Sequence, residues 1–113
     1  MNIDEWAADQ CGIVLYTPKQ INEHGMYCYD DWGNDFDYEW TIQDPRCREI
    51  VREHFKINTS YIDRNKWRSV EMKWRKKEPD STGSYCISAT GKTIAEAEIA
   101  CIEAIYEASK NGS

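Results

Sequence analysis

The stretch from Tyr85 to Ser109, YCISATGKTIAEAEIACIEAIYEAS, decides the fold. Its first five residues, Tyr85-Cys86-Ile87-Ser88-Ala89, read as a strand. Thr93 and Glu96 then form a capping box, which starts a helix. From there to Ser109 the chain is rich in Ala, Glu and Ile. Ile94, Ala97, Cys101, Ala104, Ile105 and Ala108 recur at helical spacing on one broad face. A strand that returns and feeds an amphipathic helix predicts a sheet with a helix laid on it.

Working back from this stretch, residues 67–77 alternate. Val70, Met72 and Trp74 are expected on the inner face, with Glu71, Lys73 and Arg75 on the outer one. This strand and residues 85–89 make a hairpin around a loop at 78–84. Before it, Asn58-Thr59-Ser60 reads as a turn. Asp44-Pro45 is a strong helix start, with Asp as cap and Pro in the first helical position. Cys47, Ile50, Val51, His54 and Phe55 carry that helix to about Lys56.

Further back, a second hairpin is predicted from Met26–Asp31 and Asp35–Ile42, joined by Trp32-Gly33-Asn34. In its second strand Phe36, Tyr38 and Trp40 point one way and Asp35, Asp37 and Glu39 the other. Residues 17–25 read as loop, with Pro18, Asn22 and Gly25 as punctuation. Ile13-Val14-Leu15-Tyr16 reads as a short strand or extended connection. Asn2 and Glu5 cap a first helix at residues 3–11, and Gly12 stops it. The expected fold is α+β: an antiparallel sheet of about four strands in α-ββ-α-ββ-α order, with helices packed on the sheet.

The chain has 113 residues, one domain's worth. Its 41% hydrophobic and 12% aromatic content excludes a disordered body. No run reaches the length of a membrane span. Asp4 and Glu5 stand where a secretory signal would carry bases, so a cytoplasmic location is expected. The five cysteines show no metal-ligand or dithiol spacing and read as reduced, buried small hydrophobes. No cofactor and no metal is expected.

Charge is sorted along the chain. Residues 1–45 hold ten acids and one base, Lys19; residues 46–77 hold eleven bases and four acids. The net charge of −6 disfavours a general nucleic-acid binder and fits a basic partner. Two readings of the blocks stay open. Lys73 and Arg75 can ladder against Asp35, Asp37 and Glu39 inside one sheet, or one block faces a charged partner.

The opening helix with its step Cys11-Gly12-Ile13, the Trp-bearing hairpin that leads into a helix, and the closing segment from Ala89 to Cys101 together resemble the phage ABA-sandwich domain family. The closing helix carries Ile102 and Glu103 where that family has a basic residue. The resemblance implies a layered α+β fold and a phage or prophage accessory protein, and it implies no catalytic residues.

Several constellations compete for function. Gly91-Lys92-Thr93 lacks the upstream glycine of a phosphate-binding loop, since Cys86 stands there. Asp30, Asp31, Asp35, Asp37 and Glu39 do not fit the calcium-loop template. His24, a loop residue, and His54, on the apolar side of its helix, define no Cys–His pair. What remains is an acidic-aromatic hairpin of Asp30, Asp31, Trp32, Asp35, Asp37 and Glu39, with carboxylates about 6.6–6.8 Å apart along a strand, near the spacing of phosphates. Tyr27, Tyr29 and Trp40 can add contacts.

The leading expectation is a non-enzymatic phage accessory protein that binds, and inhibits, a basic host protein or nucleic-acid-binding defence complex of the anti-CRISPR kind. The alternatives are a small nucleic-acid or nucleotide binder using Arg68, Lys73, Arg75, Lys76 and Lys77, and a small hydrolase.

Overall fold

The computed structural model describes residues 1–77 and 83–111. The sequence expectation for the loop at 78–82 lies outside the described residues. The order is α1 (Ile3–Gln10), β1 (Val14–Leu15), α2 (Pro18–His24), β2 (Cys28–Tyr29), β3 (Asp35–Phe36), α3 (Pro45–Phe55), β4 (Ile57–Asp63), β5 (Lys66–Glu71), β6 (Arg75–Lys76), β7 (Ser84–Tyr85), β8 (Ser88–Gly91) and α4 (Ile94–Lys110). The class is α+β and every strand pair is antiparallel.

A single four-stranded sheet is not what forms. β1-β2-β3 and β4-β5-β8 are separate three-stranded sheets, and β6-β7 is a two-stranded ribbon. The hairpins at 28–36 and 66–91 therefore belong to different sheets. α4 lies across β8, β5 and β4, and α3 packs against α4 and β4. The opposite face of this larger sheet presents Asn58, Ser60, Arg68, Ser88 and Thr90 to solvent.

The helix starts follow their sequence signals. Asn2 accepts from the Glu5 amide at 2.8 Å, Asp44 from the Arg46 amide at 2.8 Å, and Thr93 from the Glu96 amide at 3.1 Å. Lys56 ends α3 in the left-handed region, with φ 57°. Residues 17–25 are a helix rather than the expected loop. Thr17 and Gln20 close a capping box, Pro18 takes the first turn, and Gly25 caps the end with φ 74°.

Residues 58–60 are strand rather than turn. Thr59 has a buried polar partner: its hydroxyl lies 2.7 Å from that of Ser69 and 3.4 Å from Glu98 Oε2. The expected strand Asp35–Ile42 is ladder-paired only at Asp35–Phe36, because the chain bends at Asp37-Tyr38.

The facing of β5 is the reverse of that expected. Ser69 and Glu71 are buried toward α4, while Met72 and Trp74 are 64% and 74% exposed. Thr59 satisfies Ser69 and Arg75 satisfies Glu71, so polar side chains take the inner face. After Glu71 the ladder stops. The Lys73 amide donates to the Glu71 carbonyl at 2.8 Å, an inverse γ-turn around Met72, and the following residues swing outward.

The core gathers Trp6, Ala7 and Ile13 from the N-terminal layer, Trp40 and Ile42 from the connection, Val51 from α3, and Ile87, Ile102 and Ile105 around α4. Asp4 clamps the connection to α1: its carbonyl accepts from Trp40 Nε1 at 2.9 Å and its carboxylate from the Ile42 amide at 2.8 Å. All five cysteines are free, and Cys28, Cys47 and Cys101 are fully buried. Among the described residues no helix is long and apolar enough to cross a membrane.

Candidate functional site

The β2–β3 hairpin turns on Asp30. Its Oδ1 accepts from the amides of Trp32 and Asn34 at 3.0 and 2.9 Å, and Oδ2 accepts from the Asn34 side chain at 3.1 Å. The Asn34 amide above all holds this carboxyl below the usual carboxylate range. Asp30 thus builds the turn. Gly33, with φ 81°, supplies the left-handed step the turn needs.

Asp31 lies against the turn after α1. A Cβ on Gly12 would fall 2.6 Å from Asp31 Oδ2. Asp35 accepts from the Tyr16 hydroxyl at 2.6 Å, and this bond, ahead of burial, pushes the phenol up to about 12. Tyr16 in turn packs on Tyr29 and on the edge of His24, with ring centres 5.0 and 4.5 Å away. Trp32 is 89% exposed at the tip, and Asp31, Asp35, Asp37 and Glu39 are exposed as well.

The alternation read in the sequence survives as burial. Trp40 is buried, Phe36 and Tyr38 are half-buried and stacked at 5.4 Å, and Asp35, Asp37 and Glu39 are exposed. Arg46 lies 3.7 Å over the Tyr38 ring, while its guanidinium pairs with Asp44. The bend at Asp37-Tyr38 breaks the regular strand spacing that a row of phosphates would require.

The expected ladder between Lys73, Arg75 and the acidic row does not form. Arg75 pairs with Glu71, and no ion pair among the described residues reaches Asp35, Asp37 or Glu39. Of the basic residues singled out, Arg75 is held inward by Glu71, whereas Arg68, Lys73, Lys76 and Lys77 are exposed. Arg68 stands on the open sheet face between Ser60 and Thr90. Lys73, Trp74, Lys76 and Lys77 follow the γ-turn.

The remaining motifs resolve structurally. Glu96 Oε2 accepts from the Lys92 amide at 2.8 Å, so the chain's own carboxylate fills the start of α4. Gly91 is required by close approach, since a Cβ there would meet the Ala97 amide nitrogen at 2.6 Å. His54 is exposed, not on the buried side, and sits edge-on to Phe55. Met26 donates its amide to His24 Nδ1. Burial pushes the Cys11 thiol up to about 12 and those of Cys28 and Cys101 up to about 11, opposite to what a thiolate nucleophile needs.

Sequence reasoning misses a buried network. Glu98 Oε1 accepts from Arg48 Nε at 3.1 Å and Oε2 from Arg52 Nη1 at 3.4 Å. Arg48 Nη1 also donates to the carbonyls of Ile42 and Gln43 at 3.1 Å. The one signal for it is helical spacing, which places Glu98 one turn before the buried Ile102 and beside Ala97 and Cys101 on α4. No family model, curated protein or solved structure compared with the chain matches it.

Proposed function

We propose that this chain is a non-enzymatic binding protein that docks its β2–β3 hairpin on a basic surface of another protein. The observation behind this reading is Trp32, 89% exposed at the tip of a turn pinned by Asp30, in a segment whose Asp35, Asp37 and Glu39 are also exposed. Charge on an edge strand also discourages unwanted strand pairing. A large exposed indole has no such use and is a typical interface anchor. In this reading Trp32 supplies burial, while Asp37 and Glu39 steer a basic partner and Asp31 and Asp35 flank the contact. With the resemblance to the phage family, the partner class is a nucleic-acid-binding host defence complex, which the hairpin would occupy and inhibit in the host cytoplasm.

Purified defence nucleases provide the test, with and without their nucleic acid. Association should slow, and lose salt dependence, when Asp35, Asp37 and Glu39 are changed to Asn, Asn and Gln. A neutralised variant that binds and inhibits as well as the wild type sinks the proposal.

A second reading is favoured by the exposure of Trp74 at 74%, next to Lys73, Lys76 and Lys77. An exposed indole among bases suits stacking on single-stranded nucleic acid. A salt-dependent mobility shift of labelled single-stranded DNA or RNA, lost in Trp74→Ala, supports it; no shift at low salt rejects it. The hydrolase alternative has no comparable observation, and the raised thiols weigh against its cysteine form.

A further inference from the structure

A cleft of about 520 Å³ opens between the end of α3, the bend after β5 and the C-terminal half of α4. That volume falls within the roughly 300–1,000 Å³ usual for small-molecule sites. Phe55, Ile105 and Met72 form its apolar wall, with Trp6 stacked behind Phe55 at 5.4 Å. Lys56 and Lys73 stand at its rim. Two different elements bring them there. The Met72 amide donates to the Lys56 carbonyl at 2.9 Å, which locks the left-handed cap of α3 to the bend, and the γ-turn at Met72 then places Lys73 beside it.

The charge in the cleft is one-sided. Glu71 is the single carboxylate among the described lining residues. Both of its oxygens already accept from Arg75, at 3.0 and 3.3 Å. Lys56 and Lys73 belong to no ion pair among the described residues. Two cations therefore face an opening whose acid is already neutralised, over a wall that ends in an adaptable thioether.

We propose that this cleft binds a small anion with a flat apolar body. The carboxylate or phosphate sits between Lys56 and Lys73, and the body lies against Phe55, Ile105 and Met72. The site is separate from the hairpin and does not depend on the hairpin's role.

The test is amide chemical-shift mapping on the full chain with indole-3-acetate as probe, alongside its neutral amide and plain acetate. Indole-3-acetate should shift Lys56, Met72 and Lys73 and saturate, while the amide and acetate each bind about tenfold more weakly. The variant Lys56→Asn/Lys73→Gln should lose about tenfold in affinity for the probe. Asn tolerates the left-handed cap, and Lys73 is exposed, so an unchanged unfolding midpoint confirms the fold. Trp32→Ala should leave probe binding unchanged. Equal binding of acid and amide, an unaffected double-lysine variant, or no saturable shift at millimolar probe overturns the proposal.

Discussion

Glu71 and Arg75 form an ion pair closed off from solvent at one end. Glu71 is 2% exposed, and Arg75 reaches it from four residues on through both Nε and Nη2. The pair explains why β5 turns a polar face inward. It also fixes the bend that exposes Met72 and Trp74. Removing one partner of such a pair leaves a desolvated charge and typically costs about 3–5 kcal/mol. Arg75→Met is therefore expected to lower stability by about that amount. Glu71→Leu combined with Arg75→Met should recover most of it. Urea unfolding of the three proteins checks both statements, and a loss below about 1 kcal/mol in the single variant would show that water reaches Glu71.

Gly91 makes a second prediction, from packing. A Cβ there would meet the Ala97 amide nitrogen at 2.6 Å and the Glu96 Cβ at 2.7 Å. Neither can move without shifting the first turn of α4 off β8. Gly91→Ala is expected to cost about 1–3 kcal/mol, the usual range for overpacking. A variant with an unchanged unfolding midpoint would mean that α4 can slide away from the sheet freely.

α1, α3 and α4 are legible in the sequence because caps and a 3.6-residue period agree. In 67–71 the alternation separates two sets of side chains but does not say which set goes inside, and it ends at Glu71, after which Met72, Lys73 and Trp74 are all exposed. That choice depends on Thr59, Arg75 and α4, which come from elsewhere in the chain. α2 is hidden because Thr17-Pro18 reads equally as the stop of a strand and as the start of a helix. The acidic and aromatic sides of 35–40 are visible. Their separation from the basic strand is not, because strand neighbours are set by long-range packing. The cleft is not legible either: Lys56 and Lys73 are far apart in sequence and meet only through the bond from Met72.

Trp32 separates binding from stability. Its indole is 89% exposed, and the turn beneath it is held by Asp30 and Gly33. Trp32→Ala should therefore change stability by less than about 0.5 kcal/mol. In the same variant, binding to a basic partner should weaken by about tenfold or more, the scale of an interface anchor. Denaturant midpoints and association measured side by side decide this, and a variant that unfolds early would make Trp32 a structural residue.

The cysteines predict a labelling pattern. Cys28, Cys47 and Cys101 are fully buried. Cys11 is half-buried, and burial pushes its thiol up to about 12, leaving very little thiolate near neutral pH. Cys86, half-buried between β7 and β8, is the remaining candidate for rapid reaction. A thiol-reactive disulfide reagent near pH 8 should label one cysteine quickly in the native protein and all five after denaturation. Cys86→Ser should abolish the fast phase; if that phase persists, another thiol is more open than its burial indicates.

Asp44 gives the pH dependence. Its carboxylate accepts from the Arg46 side chain at 3.0 and 2.7 Å and from the Arg46 amide at 2.8 Å. The side-chain bonds come first among the causes that lower its pKa to about 2. An unfolded aspartate titrates near about 3.9. The folded pKa lies below the unfolded one, so protonation favours unfolding. The stabilising contribution is complete above the unfolded value and is lost as pH falls through the folded value. Asp44→Asn keeps a good helix cap but cannot titrate or pair with Arg46. The urea-midpoint difference between wild type and Asp44→Asn should therefore be flat above about pH 5 and shrink steadily below about pH 4. Arg46 is exposed and Asp44 half-buried, so the plateau should also be small and fall with added salt. A difference that stays constant down to the lowest pH at which the protein folds would show that the Asp44 carboxylate is not held by Arg46 in solution.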